Sequence, residues 1–182
     1  MAIYHPREIR LTSGETVSLR NCAADDAEPF AKFLQLIASE TTHTLQYPGK
    51  PISVDATRER WKKAETDPGS IYLGAFVRSD FVGHILFHRE NNNHPWLRDN
   101  AQFAMFVLKR FWGTGLSSHL MQTALDVLKS WEIKRLAATV RCENERGIAF
   151  YKKFGFEIEG TRKDCLRIDG KAASEYYIAR LF

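Results

Sequence analysis

The sequence predicts an α/β fold, with a mixed, mostly antiparallel central sheet flanked by helices. Three observations predict it. Segments of alternating apolar residues take turns with segments of apolar residues spaced three and four apart. Their order along the chain reads β-β-α-α-β-β-β-α-β-α-β-β. Glycine, proline and short polar clusters punctuate the segments, with no internal repeat, low-complexity stretch or linker, so residues 1–182 read as one domain.

Each element has a local reason. "REIRLTSGETVSLRN" reads as two short strands around Ser13-Gly14. Asp25 or Asp26 then caps a helix with Pro29 in its first turn, and Phe30, Phe33, Leu34 and Ile37 give it an apolar face. "TTHTLQYPGKP" is loop. Ser53 caps a second helix running to about Ala64, and "TDPGS" ends it. Residues 71–78 and 81–89 are β-rich and form a hairpin through Ser79-Asp80, "NNNHPW" is a turn, and 101–108 is a strand. Leu116, Leu120, Met121, Ala124, Leu125, Leu128 and Trp131 lie on one helix face. Residues 133–141 are a strand, and 145–154 a short helix stopped by Gly155. A last pair of strands turns at Asp169-Gly170.

Composition narrows the function classes. Hydrophobic residues make up 44% of the 182 and charged residues 26%, which is globular rather than disordered. The net charge of +4 is weak ground for a nucleic-acid partner, and no basic run with interleaved aromatics occurs. Cys22, Cys142 and Cys165 make neither a disulfide framework nor a metal motif. "MAIYHPREIR" lacks the apolar stretch of a signal peptide, and the apolar run at 103–108 is too short to span a bilayer. The expectation is a cytoplasmic protein with no membrane, nucleic-acid or metal partner.

The stretch "WGTGLSSHLM" (112–121) puts two glycines directly before a helix. A helix N-terminus carries free N–H groups and partial positive charge, and glycines let a phosphate approach them closely. Gly113, Thr114, Gly115, Leu116, Ser117 and Ser118 therefore form either a plain turn or a pyrophosphate seat. An ATP-type loop is excluded because no Gly-Lys-Ser/Thr follows. The dinucleotide motif would put its third glycine at Ser118 and normally opens a chain's first βαβ unit; this site lies late.

Two stretches in order, "VLKRFWGTGLSSHLM" and "ENERGIAFYKKFGFEIEG", resemble the GCN5-related N-acetyltransferase (GNAT) family. The first is similar to the family's acyl-CoA pyrophosphate loop. The second is similar to its Asn-containing turn and following helix, here Asn144, Tyr151 and Gly155-Phe156. The opening "VSLRNCAADDAEPFAKF" and the closing "EGTRKDCLRIDGKAASEYYIARLF" extend the resemblance over nearly the whole chain. Trp112 and Ser117 depart from the loop pattern, standing at the Gln/Arg position and at its last Gly/Ala position.

The resemblance implies transfer of an acetyl group from acetyl-CoA to an amine. It implies that the backbone of Met105, Phe106 and Val107 binds the pantetheine arm as an added strand. Gly113 to Ser118 then hold the pyrophosphate, Asn144 binds the pantetheine or supports the acetyl end, and Tyr151 is the general acid for the departing thiolate. Alkyl amines have a pKa near ~10.4, so a base or a desolvating pocket is needed. Relatives carry an acid at places matching Thr139 and Gln102, neither of which is a base. His84, His88, Asp99 and Glu40 stay open as candidates. His84 and His88 would stand about 13 Å apart on a strand, too far to share a metal ion. The overall likeness is to bacterial small-molecule and ribosomal-protein acetyltransferases, and it allows a homodimer. The competing reading is a non-catalytic acyl-CoA sensor of the same fold.

Overall fold

The computed structural model describes residues 4–67, 69–91 and 94–182. Expectations at 1–3, Pro68, Asn92 and Asn93 lie outside the described residues, and these include parts of the helix stop at "TDPGS" and of the "NNNHPW" turn. The fold is α/β, with eight strands and four α-helices among the described residues, in the expected order. They are β1 (Arg7–Arg10), β2 (Thr16–Asn21), α1 (Ala27–Glu40), α2 (Val54–Thr66), β3 (Ser70–Val77), β4 (Asp80–Arg89), β5 (Asn100–Val107), α3 (Leu116–Ser130), β6 (Arg135–Arg141), α4 (Glu145–Lys153), β7 (Glu157–Ile168) and β8 (Lys171–Leu181). Of the strand pairings described, only β5 with β6 is parallel.

The chain divides into two compact units, Met1–His88 with Ala104–Trp131, and Arg89–Phe103 with Glu132–Phe182. In the first unit β1, β2, β3 and β4 are successive neighbours. Helix α1 buries Phe30, Phe33, Leu34 and Ile37, the face its spacing predicts. Phe30, Trp61 of α2 and Phe81 of β4 meet as tilted or stacked rings 5.0–6.3 Å apart. Helix α3 buries Leu116, Leu120, Met121, Ala124 and Leu128 completely. Each such burial removes about 1.5–3 kcal/mol of apolar side chain from water, less for alanine.

In the second unit β8 lies between β6 and β7. Its core is Phe103, Leu136, Val140, Phe156, Ile178 and Ala179.

Two local expectations are corrected. The β3–β4 hairpin turns at Arg78-Ser79, one residue earlier than read, because Val77 pairs with Asp80 and Arg78 takes the left-handed conformation (φ 55°). Asp26 stands at the N-cap of α1, but its carboxylate does not cap that helix. It accepts from the Ala23 N–H (2.8 Å) and pairs with Arg20 (2.6 Å) instead.

Candidate active site

In the first unit, the end of β5, a 3-10 turn at Lys109–Phe111 and the start of α3 bring together nine of the expected site residues, Met105–Val107 and Gly113–Ser118. The hydrogen bonds of this segment are sorted by type. Five of its carbonyls are occupied as follows. Val107 O accepts from the Trp112 indole (2.9 Å) and Lys109 O from the Trp112 N–H (3.0 Å). Phe111 O accepts from the Thr114 hydroxyl (2.7 Å), Thr114 O from Thr12 N–H in the β1–β2 turn (3.1 Å), and Gly115 O from His119 N–H (3.1 Å).

Its N–H groups are free where an anion would use them. Gly113, Gly115, Leu116, Ser117 and Ser118 make no N–H hydrogen bond among the described residues. Gly115 is the N-cap of α3 and supplies no side-chain cap, and no acidic residue lies in the first helical turn. Gly113 (φ 80°) and Gly115 (φ 92°) adopt conformations that other residues rarely take, and the space beside each is open. Donors without acceptors, at the positive end of a 15-residue helix, fit a diphosphate. Trp112 explains its own departure from the family pattern, because its indole closes the loop onto Val107 while the backbone donors are unchanged.

The ladder between β5 and β6 holds Asn100, Ala101 and Gln102 and ends there. Met105, Phe106 and Val107 lie past its end, so that edge of their backbone is outside the ladder, as an added-strand ligand requires.

Asn144 and Tyr151 belong to the second unit. Asn144 caps α4, its side-chain oxygen accepting from Gly147 N–H at 2.9 Å. A Cβ at Gly147 would stand 2.5 Å from the Asn144 amide, so the cap requires glycine there. The cap uses the oxygen of the amide and leaves its NH₂ to donate. Tyr151 is half-buried between Phe103 and Phe156, ring centroids 5.6 and 5.7 Å away in edge-on contact. Desolvation pushes its phenol up to about 12. The hydroxyl is thus protonated at neutral pH, and it makes no hydrogen bond among the described residues. It is not among the buried polar atoms left without a partner, and it can donate to water or to a bound group.

The base candidates separate. His84 is fully buried on β4 among Phe30, Trp61, Tyr72 and Phe81, and neither ring nitrogen has a hydrogen bond. Burial lowers its pKa to about 3, which removes it as a base for an alkyl amine. Glu40 accepts a backbone N–H from Lys109, and Asp99 lies 3.6 Å from Arg98. Thr139 and Gln102 are exposed on their strands.

Sequence reasoning missed Glu90. Its carboxylate accepts from the Gln102 side chain at 3.1 Å, so a carboxylate stands beside the position that lacks one in sequence. It also missed the buried pair Arg141–Glu175 (3.2 Å), in which Arg162 is a second cation 3.5 Å from the same carboxylate. Both contacts are made only by the fold, and nothing local in the sequence signals them.

Known proteins resemble this chain in sequence and in fold. The sequence model of the Acetyltransferase (GNAT) family matches residues 33–156. The L-amino acid N-acetyltransferase AaaT of Escherichia coli is 33% identical over 123 residues, covering 66% of this chain and 75% of its own. A GNAT-family acetyltransferase structure from Streptococcus pneumoniae superposes with a TM-score of 0.84 at 24% identity, over 91% of this chain and 99% of that one. The yncA acetyltransferase structure from Salmonella typhimurium, solved with its cofactor acetyl-CoA, gives 0.77 at 13% identity over 91% and 93%. With a family match running from α1 to the start of β7 and the same fold in its structural neighbours, the chain belongs to the GNAT acetyltransferase family.

Proposed function

We propose that the protein moves an acetyl group from acetyl-CoA to a primary amine, of a small molecule or a protein N-terminus, by direct attack in a ternary complex. Membership of the family makes the chain an N-acetyltransferase that uses acetyl-CoA. The observation that carries the reading is the loop's unused donors, the N–H groups of Gly113, Gly115, Leu116, Ser117 and Ser118, beside carbonyls of Val107, Lys109, Phe111, Thr114 and Gly115 that are bonded. The name of the AaaT relative makes free L-amino acids the first acceptors to test.

Roles follow from the chemistry of each group. The loop N–H groups hold the diphosphate, and the backbone of Met105, Phe106 and Val107 holds the pantetheine arm. Acetyl-CoA supplies an activated acyl group on a sulfur that leaves as thiolate. Asn144 donates its NH₂ to the same arm. Tyr151 gives its Oη proton to the departing sulfur. The phenol is protonated at neutral pH, as a proton donor must be. Glu90 takes the proton from the acceptor ammonium. Gln102 steadies the Glu90 carboxylate, which makes up in space for the acid missing at Gln102 and Thr139. A positioned acid or base contributes about 10²- to 10⁴-fold. The protein works as one catalytic domain in the cytoplasm.

The test is thermal melting with acetyl-CoA, NAD and ATP in parallel, followed by CoA release with L-amino acids, polyamines and N-terminal peptides. Acetyl-CoA at ~100 times its dissociation constant should stabilise the fold by roughly 2.7 kcal/mol while NAD and ATP do not. Binding without turnover on any amine would favour a sensor.

A further inference from the structure

Helix α1 ends on Glu40, an acidic residue at the negative end of a helix dipole, where a cation would be the favourable choice. Its carboxylate does not serve that helix. The cap of α1 is made by backbone, with Thr41 N–H donating to Ile37 O at 3.2 Å. Glu40 Oε2 accepts instead from the N–H of Lys109 at 2.7 Å, across 69 residues of sequence.

Lys109 opens the 3-10 turn that leads into the diphosphate seat. The residue before it, Leu108, has the extended conformation of a cap (φ −56°, ψ 141°) but an apolar side chain that cannot accept a hydrogen bond. Glu40 is therefore the cap, supplied from another element. The bonds that follow make the turn a lever. Phe111 N–H donates to Leu108 O, Trp112 N–H to Lys109 O, and the Trp112 indole to Val107 O. Whatever fixes Lys109 fixes Trp112, and with it the approach to Gly113.

We propose that Glu40 is a positioning residue for acetyl-CoA, holding the start of the diphosphate loop through the Lys109 N–H. This rests on the acetyl-CoA reading of that loop. Charge opposes the role, since a carboxylate near the seat repels a diphosphate. The hydrogen bond and the charge thus push affinity in opposite directions, and substitutions tell them apart. Glu40→Ala loses both. Glu40→Gln loses the charge and keeps an acceptor. Glu40→Asp keeps the charge and loses the reach.

Acetyl-CoA affinity is measured by calorimetry, with ligand-free melting to verify folding. Glu40→Ala and Glu40→Asp should each weaken binding about tenfold. Glu40→Gln should bind at least as tightly as wild type. The KM for acetyl-CoA should follow affinity while kcat at saturation holds. Lys109→Pro supplies the second arm. The conformation of Leu108 and the first position of the turn both accept proline, which deletes the donor N–H. In that background Glu40→Ala should change affinity by less than about twofold. Equal affinity in all Glu40 variants, tighter binding by both Ala and Gln, equal weakening by Gln and Ala, or an undiminished Glu40→Ala effect in Lys109→Pro would each overturn the inference. Wild type that fails to bind acetyl-CoA overturns the functional reading beneath it instead.

Discussion

The loop after β5 and the helix α4 solve different problems with different materials. The loop is built of backbone, with two glycines at positive φ, bonded carbonyls and unused N–H groups. Its free donors are main-chain groups, which the Trp112 indole and the Thr114 hydroxyl brace from within the segment, and Trp112 and Ser117 stand where the family pattern has other residues. Helix α4 offers side chains. Asn144 presents an amide and Tyr151 a phenol whose pKa is set by the rings around it. A backbone seat tolerates changes of residue type and not of conformation. A side-chain proton donor, the role proposed for Tyr151, would tolerate neither.

That contrast is broken or sharpened by substitution. The largest effect belongs to Tyr151→Phe, which keeps the aromatic packing and deletes the proton. It should lower kcat about 10²-fold or more, with Glu90→Gln similar, while acetyl-CoA affinity stays within about twofold. Steady-state kinetics beside calorimetry reads both. An unchanged kcat for Tyr151→Phe would reduce that residue to a packed aromatic.

Next comes the seat. Gly115→Val places a β-branched residue at φ 92°, where strain rather than crowding is the obstacle, since the space is open. Acetyl-CoA affinity should fall at least about tenfold. Trp112→Arg, which alters a side chain and leaves the donors, should cost less than about threefold. If Trp112→Arg proved the more damaging, side chains would govern the seat after all.

The smallest effect is on stability. His84 has a folded pKa of about 3 against 6.5 as its ordinary value. As pH falls through that window the unfolded chain takes up a proton that the native state refuses. Stability is therefore lost toward acid, at a slope approaching ~1.4 kcal/mol per pH unit. His84→Leu should be nearly neutral at pH 7 and should hold an advantage of about 2 kcal/mol by pH 5. Urea titrations at both values measure it, and parallel pH profiles for the two proteins would refute it.

The order of elements was legible in the sequence because hydrophobic period and turn residues are local. The loop's conformation was legible for the same reason, since Gly113 and Gly115 announce the backbone they adopt. The hairpin slipped by one residue because no glycine or asparagine marks Arg78, whose positive φ is imposed by the pairing of Val77 with Asp80. His84 looked available as a base because a strand residue reads as half-exposed. Strand β4 is instead buried on both faces from Phe81 to Ile85. Glu90 beside Gln102 and Glu40 on Lys109 were illegible, because each depends on partners brought near only by the fold.

The hydrogen bond from Thr12 to the Thr114 carbonyl bears on how such a protein should be trimmed. The family match begins at residue 33, and Thr12 lies well before it. Cutting the chain at the boundary that homology suggests would delete β1 and β2 together with the donor that keeps that carbonyl occupied. A lone pair would be released among the donors proposed to hold the diphosphate. The shortened protein would still read as the whole family domain while having lost a brace of the proposed cofactor loop.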